Sequence, residues 1–568
     1  MRTRFLTVAV VVLCLLALPT SAWAGKDKDD DTKIDEAVGT VLQDVGPGEP
    51  IPVLVYTEPG AAGVVQAAVP VGVELTELPI VNAVAAYLTA GEIDQLAAAP
   101  AVELIAADNP VFGFDYASSL DITNLAIGLG DVVPPADNGP AGRGVTVAIL
   151  DSGVSTTTSD LSQSRIVGWK DFVNNRAQPY DDAGHGTFVA GLIAGDGTAS
   201  LPLDQHGNAT MQFRGVAPAA SIVGIKVLDD AGQGRSSSVI AGIIWAIQHK
   251  DDYGIRVLNV SIGSNPVSPA DYDPIARAVE IAWKNGIAVV CAAGNEGEFG
   301  PGGILSPGNS PYVITVGATD TYQTPELTDD EVTYYSSLGP TLFDEFAKPD
   351  LVAPGNRLIS VRVPGSYIDI NFPQNLIPVT TYAPTAPSDT PPSYLMLSGT
   401  STSAPVTAGA IALMLEKDPS LTPDDVKVRL MRTADPLPGA SSYQQGAGLI
   451  DVDQALNDTS KADGYALSAD LGNGTTILNP SAYVQWDKRV WSRYGWTKFK
   501  WTKFKWTKAE WTKFKWTKFK WTKFKWTQAG WTKFKWTKFK WTEADWQKFK
   551  WTEYEWAKFK WTILTQGQ

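Results

Sequence analysis

Five short runs of almost uninterrupted apolar residues, Val145–Leu150, Ile222–Leu228, Val257–Ile262, Ile287–Ala292 and Tyr312–Val316, limit this chain more than any other feature. Each is too short to span a membrane, and each lacks the alternation of a strand with one wet face. Strands buried on both faces read this way, and the longer helix-patterned stretches between them supply the covering layers. The expectation is an α/β fold, a doubly wound and mostly parallel sheet, from Gly144 to about Leu456.

Such sheets place their chemistry at the carboxyl ends of the strands. Asp151-Ser152-Gly153 directly follows the first run. Gly184-His185-Gly186-Thr187 opens an apolar helix carrying Val189, Leu192 and Ile193. Gly399-Thr400-Ser401-Thr402-Ser403-Ala404-Pro405 opens another helix that runs on to Leu415. Acyl transfer needs these residue types together. A serine attacks only when a base takes its proton, a histidine titrates near neutrality, and a carboxylate fixes the imidazole tautomer. Ala292-Ala293-Gly294-Asn295 follows a further buried run, and the Asn295 amide is a candidate donor to a tetrahedral oxyanion. Taken singly, each motif reads as a turn or a helix cap; their joint order points to catalysis. Of the three histidines, His206 lies in a polar insertion and His249 ends a helical stretch, so no zinc set is expected.

In this order, Asp, His, Ser, the motifs resemble the subtilisin-like serine proteases, the subtilases. The resemblance also covers Gly215-Val216-Ala217-Pro218, Leu258–Gly263, Val313–Ala318 and Lys348–Gly355. It implies that Asp151, His185 and Ser401 are the catalytic triad and Asn295 the oxyanion donor. It further implies that Gly232-Gln233-Gly234 and Ser261-Ile262-Gly263 pair with an extended polypeptide substrate, which binds as an added strand. Ala292, Ala293 and Gly294 would wall the first specificity pocket, with Glu296 near its rim. Phe188 stands where many relatives carry a second histidine, and Thr402 where methionine is common. No cofactor is required for the chemistry. Asp160-Leu161 matches a segment where some subtilases hold structural calcium, so Asp160 is the candidate metal ligand. Residues 50–112 resemble the inhibitor-like propeptide of the family, which would act as an intramolecular inhibitor until self-cleavage within Asp108–Ser119, with Tyr116-Ala117 as the favoured bond.

The two ends of the chain add location. Arg2 and Arg4 precede an apolar stretch from Val8 to Leu18, and Ala22-Trp23-Ala24 supplies small residues, so residues 1–24 read as a secretory signal cleaved after Ala24. Only Cys291 remains after that cleavage, which excludes an intramolecular disulfide. Residues 25–49 read as an acidic spacer, 113–456 as the protease domain and 457–485 as a linker, in which Tyr465–Leu471 could add a strand. Residues 486–568 hold 22 Lys/Arg against 6 Asp/Glu inside a chain of net charge −15, and 16 of its 20 tryptophans. Tryptophan recurs every fifth residue from Trp486 to Trp561, with the consensus Trp-Thr-Lys-Phe-Lys. Five residues turn a helix by about 500°, which sprays the tryptophans round its axis. An odd period also flips them between the faces of a straight strand. A bend in each repeat solves both problems and suggests a β-solenoid-like coil or a strongly bulged ribbon. Aromatic faces ringed by lysine suit a cell envelope or an anionic polymer, and no specific nucleic acid is expected. The reading is a secreted serine endopeptidase, extracellular or retained at the cell surface. Its rival is a catalytically inactive cell-surface or glycan-binding protein.

Overall fold

The computed structural model describes residues 33–469, apart from 47, 71–72, 114–138, 201–212, 323–328, 385 and 388. The signal segment with its cleavage after Ala24, the Tyr116-Ala117 bond, His206 and the repeat tail lie outside the described residues.

The chain first builds a small αβ module. Strands β1 (Ile51–Thr57), β2 (Leu75–Leu78), β3 (Ala83–Leu88) and β4 (Val102–Ala107) form an antiparallel sheet in the order β2-β3-β1-β4. The helix Ala90–Ala97 packs on it, opened by a capping box in which Thr89 and Glu92 satisfy each other's first-turn amides. Val53, Val55, Val84, Leu88, Ile93, Leu96 and Ile105 make its core. The spacer expected over 25–49 needs correction, because Glu36–Asp44 is a helix capped by Asp35 and buries Val38 in that same core. A short strand β5 (Pro110–Gly113) then leaves the module.

The larger sheet is built from β6 (Thr146–Asp151), β7 (Ile166–Asp171), β8 (Ser221–Lys226), β10 (Ile255–Val260), β12 (Ala288–Ala292), β13 (Ile314–Asp320), β14 (Glu331–Val332) and β15 (Leu351–Pro354). Its order is β14-β13-β12-β10-β6-β8-β7, with β15 also on β13, and only the β13–β14 pair is antiparallel. The five apolar runs therefore lie in the parallel sheet as expected, and their near-continuous burial explains the missing alternation. Between these strands, β9 (Gln233–Arg235) and β11 (Ile262–Gly263) flank β5, and β16 (Leu358–Val361) pairs with β17 (Tyr394–Leu397). Among the described residues no helix is long and apolar enough to cross a membrane.

Residues 458–469, expected as the start of a linker, are part of the fold. Ser468 donates to Asp350 Oδ1 at 2.6 Å and its amide to Pro311 O at 2.8 Å, while Ala466 and Ala469 are buried. The described part of the Tyr465–Leu471 segment forms no strand. Polar composition suggested a free chain; the buried polar groups of the domain instead supply partners for it.

Candidate active site

Asp151 closes β6, which lies between β8 and β10 where the chain order of the sheet reverses. That reversal leaves the crevice in which open α/β sheets carry their sites. His185 opens the helix His185–Ala194, and Ser401 lies in the first turn of the helix Thr400–Lys417. These three side chains come from positions as much as 250 residues apart in the sequence and meet in a buried row. His185 Nδ1 lies 2.7 Å from Asp151 Oδ1, and His185 Nε2 lies 3.2 Å from Ser401 Oγ. Because the carboxylate accepts, Nδ1 carries the hydrogen and Nε2 is left as the acceptor facing the hydroxyl. Asp151 Oδ1 also accepts the Ser152 amide at 2.7 Å, which fixes the carboxylate itself.

Pro405 explains how Ser401 is held. It has no N–H to give to the carbonyl four residues earlier, so it frees the carbonyl of Ser401 from the helix ladder. The Ser261 hydroxyl donates to that carbonyl at 2.9 Å, and Asn259 Nδ2 donates to Ser261 at 2.8 Å. A strand end of the sheet thus grips the serine turn through a position the helix cannot fill.

Asn295 follows β12. Its Oδ1 accepts from the Thr400 amide at 2.9 Å and the Thr400 hydroxyl at 3.1 Å, and that hydroxyl accepts the Gly294 amide at 3.0 Å. The NH2 end of the Asn295 amide is turned away from these donors. Ala292, Ala293 and Gly294 are buried beside it. Burial pushes the half-buried Glu296 carboxyl above its ordinary pKa.

The segments Gln233–Arg235 and Ile262–Gly263 pair with β5, a strand of the same chain. Val111 lies opposite Gly234 and Phe112 opposite Gln233 on one side; Phe112 lies opposite Gly263 and Gly113 opposite Ile262 on the other. Gly232 turns into this edge at φ +73°.

Asp160, the candidate calcium ligand, is held by protein donors. Its Oδ2 accepts the Tyr394 hydroxyl at 2.5 Å and its Oδ1 the Ala199 amide at 2.7 Å, so donors occupy both oxygens. Among the described residues no cluster of His, Cys, Asp or Glu could hold an ion. An aromatic cluster of Phe213, Tyr382 and Tyr394 packs near Asp160, and the Tyr394 hydroxyl donates to its carboxylate. His249 half-buries against Trp245 and bonds Asp252 at 2.8 Å.

Ser152, Thr400 and Pro405 stand inside the sequence motifs without a role of their own there, and Asp181 stands outside them. The signal for Asp181 is an acidic residue just ahead of a helix start.

Known proteins place this geometry. A model of the subtilase family matches residues 142–448, more than half of the chain. The chain belongs to the subtilase family. This subtilase is 39% identical over 320 residues to serine protease AprX of Bacillus subtilis, a match covering 56% of this chain and 66% of that protein. It is 34% identical over 318 residues to subtilisin DY of Bacillus licheniformis, covering 56% and 92%, and 32% identical over 379 residues to subtilisin E of Bacillus subtilis, covering 66% and 81%. The crystal structure of fervidolysin from Fervidobacterium pennivorans, described as a keratinolytic enzyme related to subtilisin, superposes with a TM-score of 0.55. At 22% identity, over 73% of this chain and 62% of that one, that likeness speaks for the fold.

Proposed function

We propose that this subtilase is a secreted serine endopeptidase that hydrolyses polypeptides through an acyl-enzyme on Ser401. The relay from Asp151 through His185 to Ser401 carries the reading. Ser401 Oγ attacks the scissile carbonyl while His185 Nε2 takes its proton. Asp151 stabilises the imidazolium, which then protonates the leaving amine. The Asn295 NH2 and the Ser401 amide receive the negative charge on the oxyanion, and water enters by the reverse path to release the acid product. Extended substrate would lie between Gly232–Gly234 and Ser261–Gly263, its side chain reaching the wall of Ala292–Gly294 with Glu296 at the rim.

The module ending in β5 acts as the enzyme's own propeptide. Asp108 accepts from the Ser237 amide at 2.8 Å and hydroxyl at 2.6 Å at the start of the helix Ser236–Gln248, and β5 fills the substrate strand. With Gly113 opposite Ile262, the register favours a cut soon after β5 rather than as far on as Tyr116-Ala117. Intact mass of exported wild type and Ser401→Ala tests this. Wild type should lose the residues up to a point within 108–119 and the variant should keep them; if both keep them, self-processing by Ser401 is wrong.

The repeat tail retains the enzyme at the cell surface, on the strength of its tryptophan period and its excess of lysine. A chain ending at Tyr483 should stay active but wash off cell envelopes. Equal wash-off of both lengths would remove this role.

A further inference from the structure

We infer that Asp181 and Ser152 are positioning residues, a buried carboxylate and a hydroxyl that lock the His185 helix to the Asp151 strand end and so set the imidazole in line with Ser401. The inference rests on the reading of Ser401 as the nucleophile. Asp181 is buried, and four donors surround it: the Ser152 hydroxyl at 2.9 Å, the Gly184 amide at 2.8 Å, the Thr187 amide at 2.8 Å and the Thr187 hydroxyl at 2.7 Å. Ser152 Oγ in turn accepts the Gly186 amide at 2.9 Å. The first-turn amides of the histidine helix, which have no partner within the helix, are thus shared between Asp181 and the residue beside Asp151.

This arrangement couples two displacements. Ser152 gives its amide to the Asp151 carboxylate and its hydroxyl to Asp181, so neither the aspartate nor the helix can slide without breaking a buried bond. Close packing leaves little slack. A Cβ on Gly186 would sit 2.1 Å from Gly153 O, and one on Gly153 would sit 2.1 Å from Tyr180 O. The buried Lys226 ammonium adds a strut, donating to Ser152 O at 2.5 Å and to Asp182 Oδ1 at 2.6 Å. Neither Asp181 nor Ser152 lies in the hydrogen-bonded row that moves the proton. They act through His185, where small misplacements of reacting groups cost about 100-fold in rate.

Ser152→Ala removes the bridge while leaving Asp181 to cap the helix. Asp181→Asn keeps the shape but puts an NH2 group where one carboxylate oxygen was, so either the Gly184 or the Thr187 amide loses its acceptor. Ser152→Thr restores the hydroxyl. The three variants, wild type and Ser401→Ala are made in the full chain. They are compared by the rate of labelling with a fluorophosphonate, by kcat and KM on a peptide anilide after processing, and by thermal unfolding. Ser152→Ala is expected to label and turn over about 10- to 100-fold more slowly with KM within about twofold. Asp181→Asn should lose at least as much, and Ser152→Thr should recover most of the rate. Wild-type labelling rates in folded Ser152→Ala, or losses that only follow the folded fraction, would overturn the positioning role. Labelling that persists in Ser401→Ala would instead remove the nucleophile on which the inference depends.

Discussion

The carboxamide oxygen of Asn295 is held by both donors of Thr400, the amide at 2.9 Å and the hydroxyl at 3.1 Å. An amide so fixed has one orientation, with its NH2 turned away from Thr400. A donor that needs no reorientation as charge develops stabilises the transition state more than the ground state. Asn295→Leu should therefore lower kcat on a peptide anilide by about 100- to 1000-fold, with KM within a few-fold. Thr400→Val keeps the backbone bond and loses the hydroxyl, so its kcat should fall by about tenfold. A Thr400→Val enzyme with wild-type kcat would show that the second donor adds nothing.

Glu416, at the end of the nucleophile's helix, grips the first strand's approach. Its Oε2 accepts the amides of Ala141 and Gly142 at 2.6 Å each and of Arg143 at 2.9 Å, and its Oε1 meets the Arg143 guanidinium at 3.0 Å. Partial burial opposes ionisation, but the three amides and the guanidinium outweigh it and hold the carboxyl below its ordinary pKa. A depressed carboxyl binds fewer protons folded than unfolded, so its stabilisation is present above about pH 4.3 and fades as pH falls below that. Glu416→Gln should cost about 1–3 kcal/mol at pH 7 and less at pH 3.5, by urea unfolding in a Ser401→Ala background. Equal cost at both pH values would deny the carboxylate its charge-dependent role.

The parallel sheet and the row of Asp151, His185 and Ser401 were legible because both leave local marks. Runs such as Val145–Leu150 signal strands buried on two faces, and Asp151, His185 and Ser401 each sit where an element ends or begins. Other features were hidden in contacts between distant residues. Strand β3, Ala83–Leu88, is mostly small residues that favour helix as readily, and only pairing with β1 and β2 on both sides makes it a strand. Nothing near Asp160 in the sequence signals that Tyr394, 234 positions away, donates to its carboxylate. The polar stretch after Leu456 read as linker because no local pattern announces that Lys427 and Asp350 wait for Ser468.

Thr402, beside the nucleophile, is buried and donates to Gly355 O at 2.9 Å and Gly399 O at 2.8 Å. With a hydroxyl in place of a thioether, the position has nothing for peroxide to convert to a sulfoxide. Wild type should keep most of its activity after peroxide treatment that inactivates Thr402→Met, when each is compared with its own untreated rate. Equal fractional losses would place the sensitive group elsewhere.

Two lysines, Lys348 and Lys427, are buried with the carboxylate of Asp350. Lys348 donates to Asp350 Oδ2 at 2.6 Å, while Lys427 lies 3.3 Å from Asp350 Oδ1 and donates to the carbonyls of Pro311 and Val313, both at 2.9 Å. Burial, only partly offset by the Asp350 charge and reinforced by repulsion from Lys348, brings the Lys427 pKa down to about 7. From there to its ordinary value near 10.5 the unfolded chain holds a proton that the folded chain does not. Stability from this group therefore rises with pH across that window and is lost as pH falls to 7. Buried Cys291 works the other way. Burial raises its thiol pKa to about 12, so above its ordinary value near 9 the unfolded chain loses a proton first. The share of the unfolding free energy that depends on Lys427, read as the difference between Ser401→Ala protein with and without Lys427→Met, should climb from pH 7 to 9 by at most about 1.4 kcal/mol per pH unit. Lys427→Met should show a shallower rise over pH 7–9 while losing the tie to Ser468. If the slope is unchanged in that variant, another group supplies it.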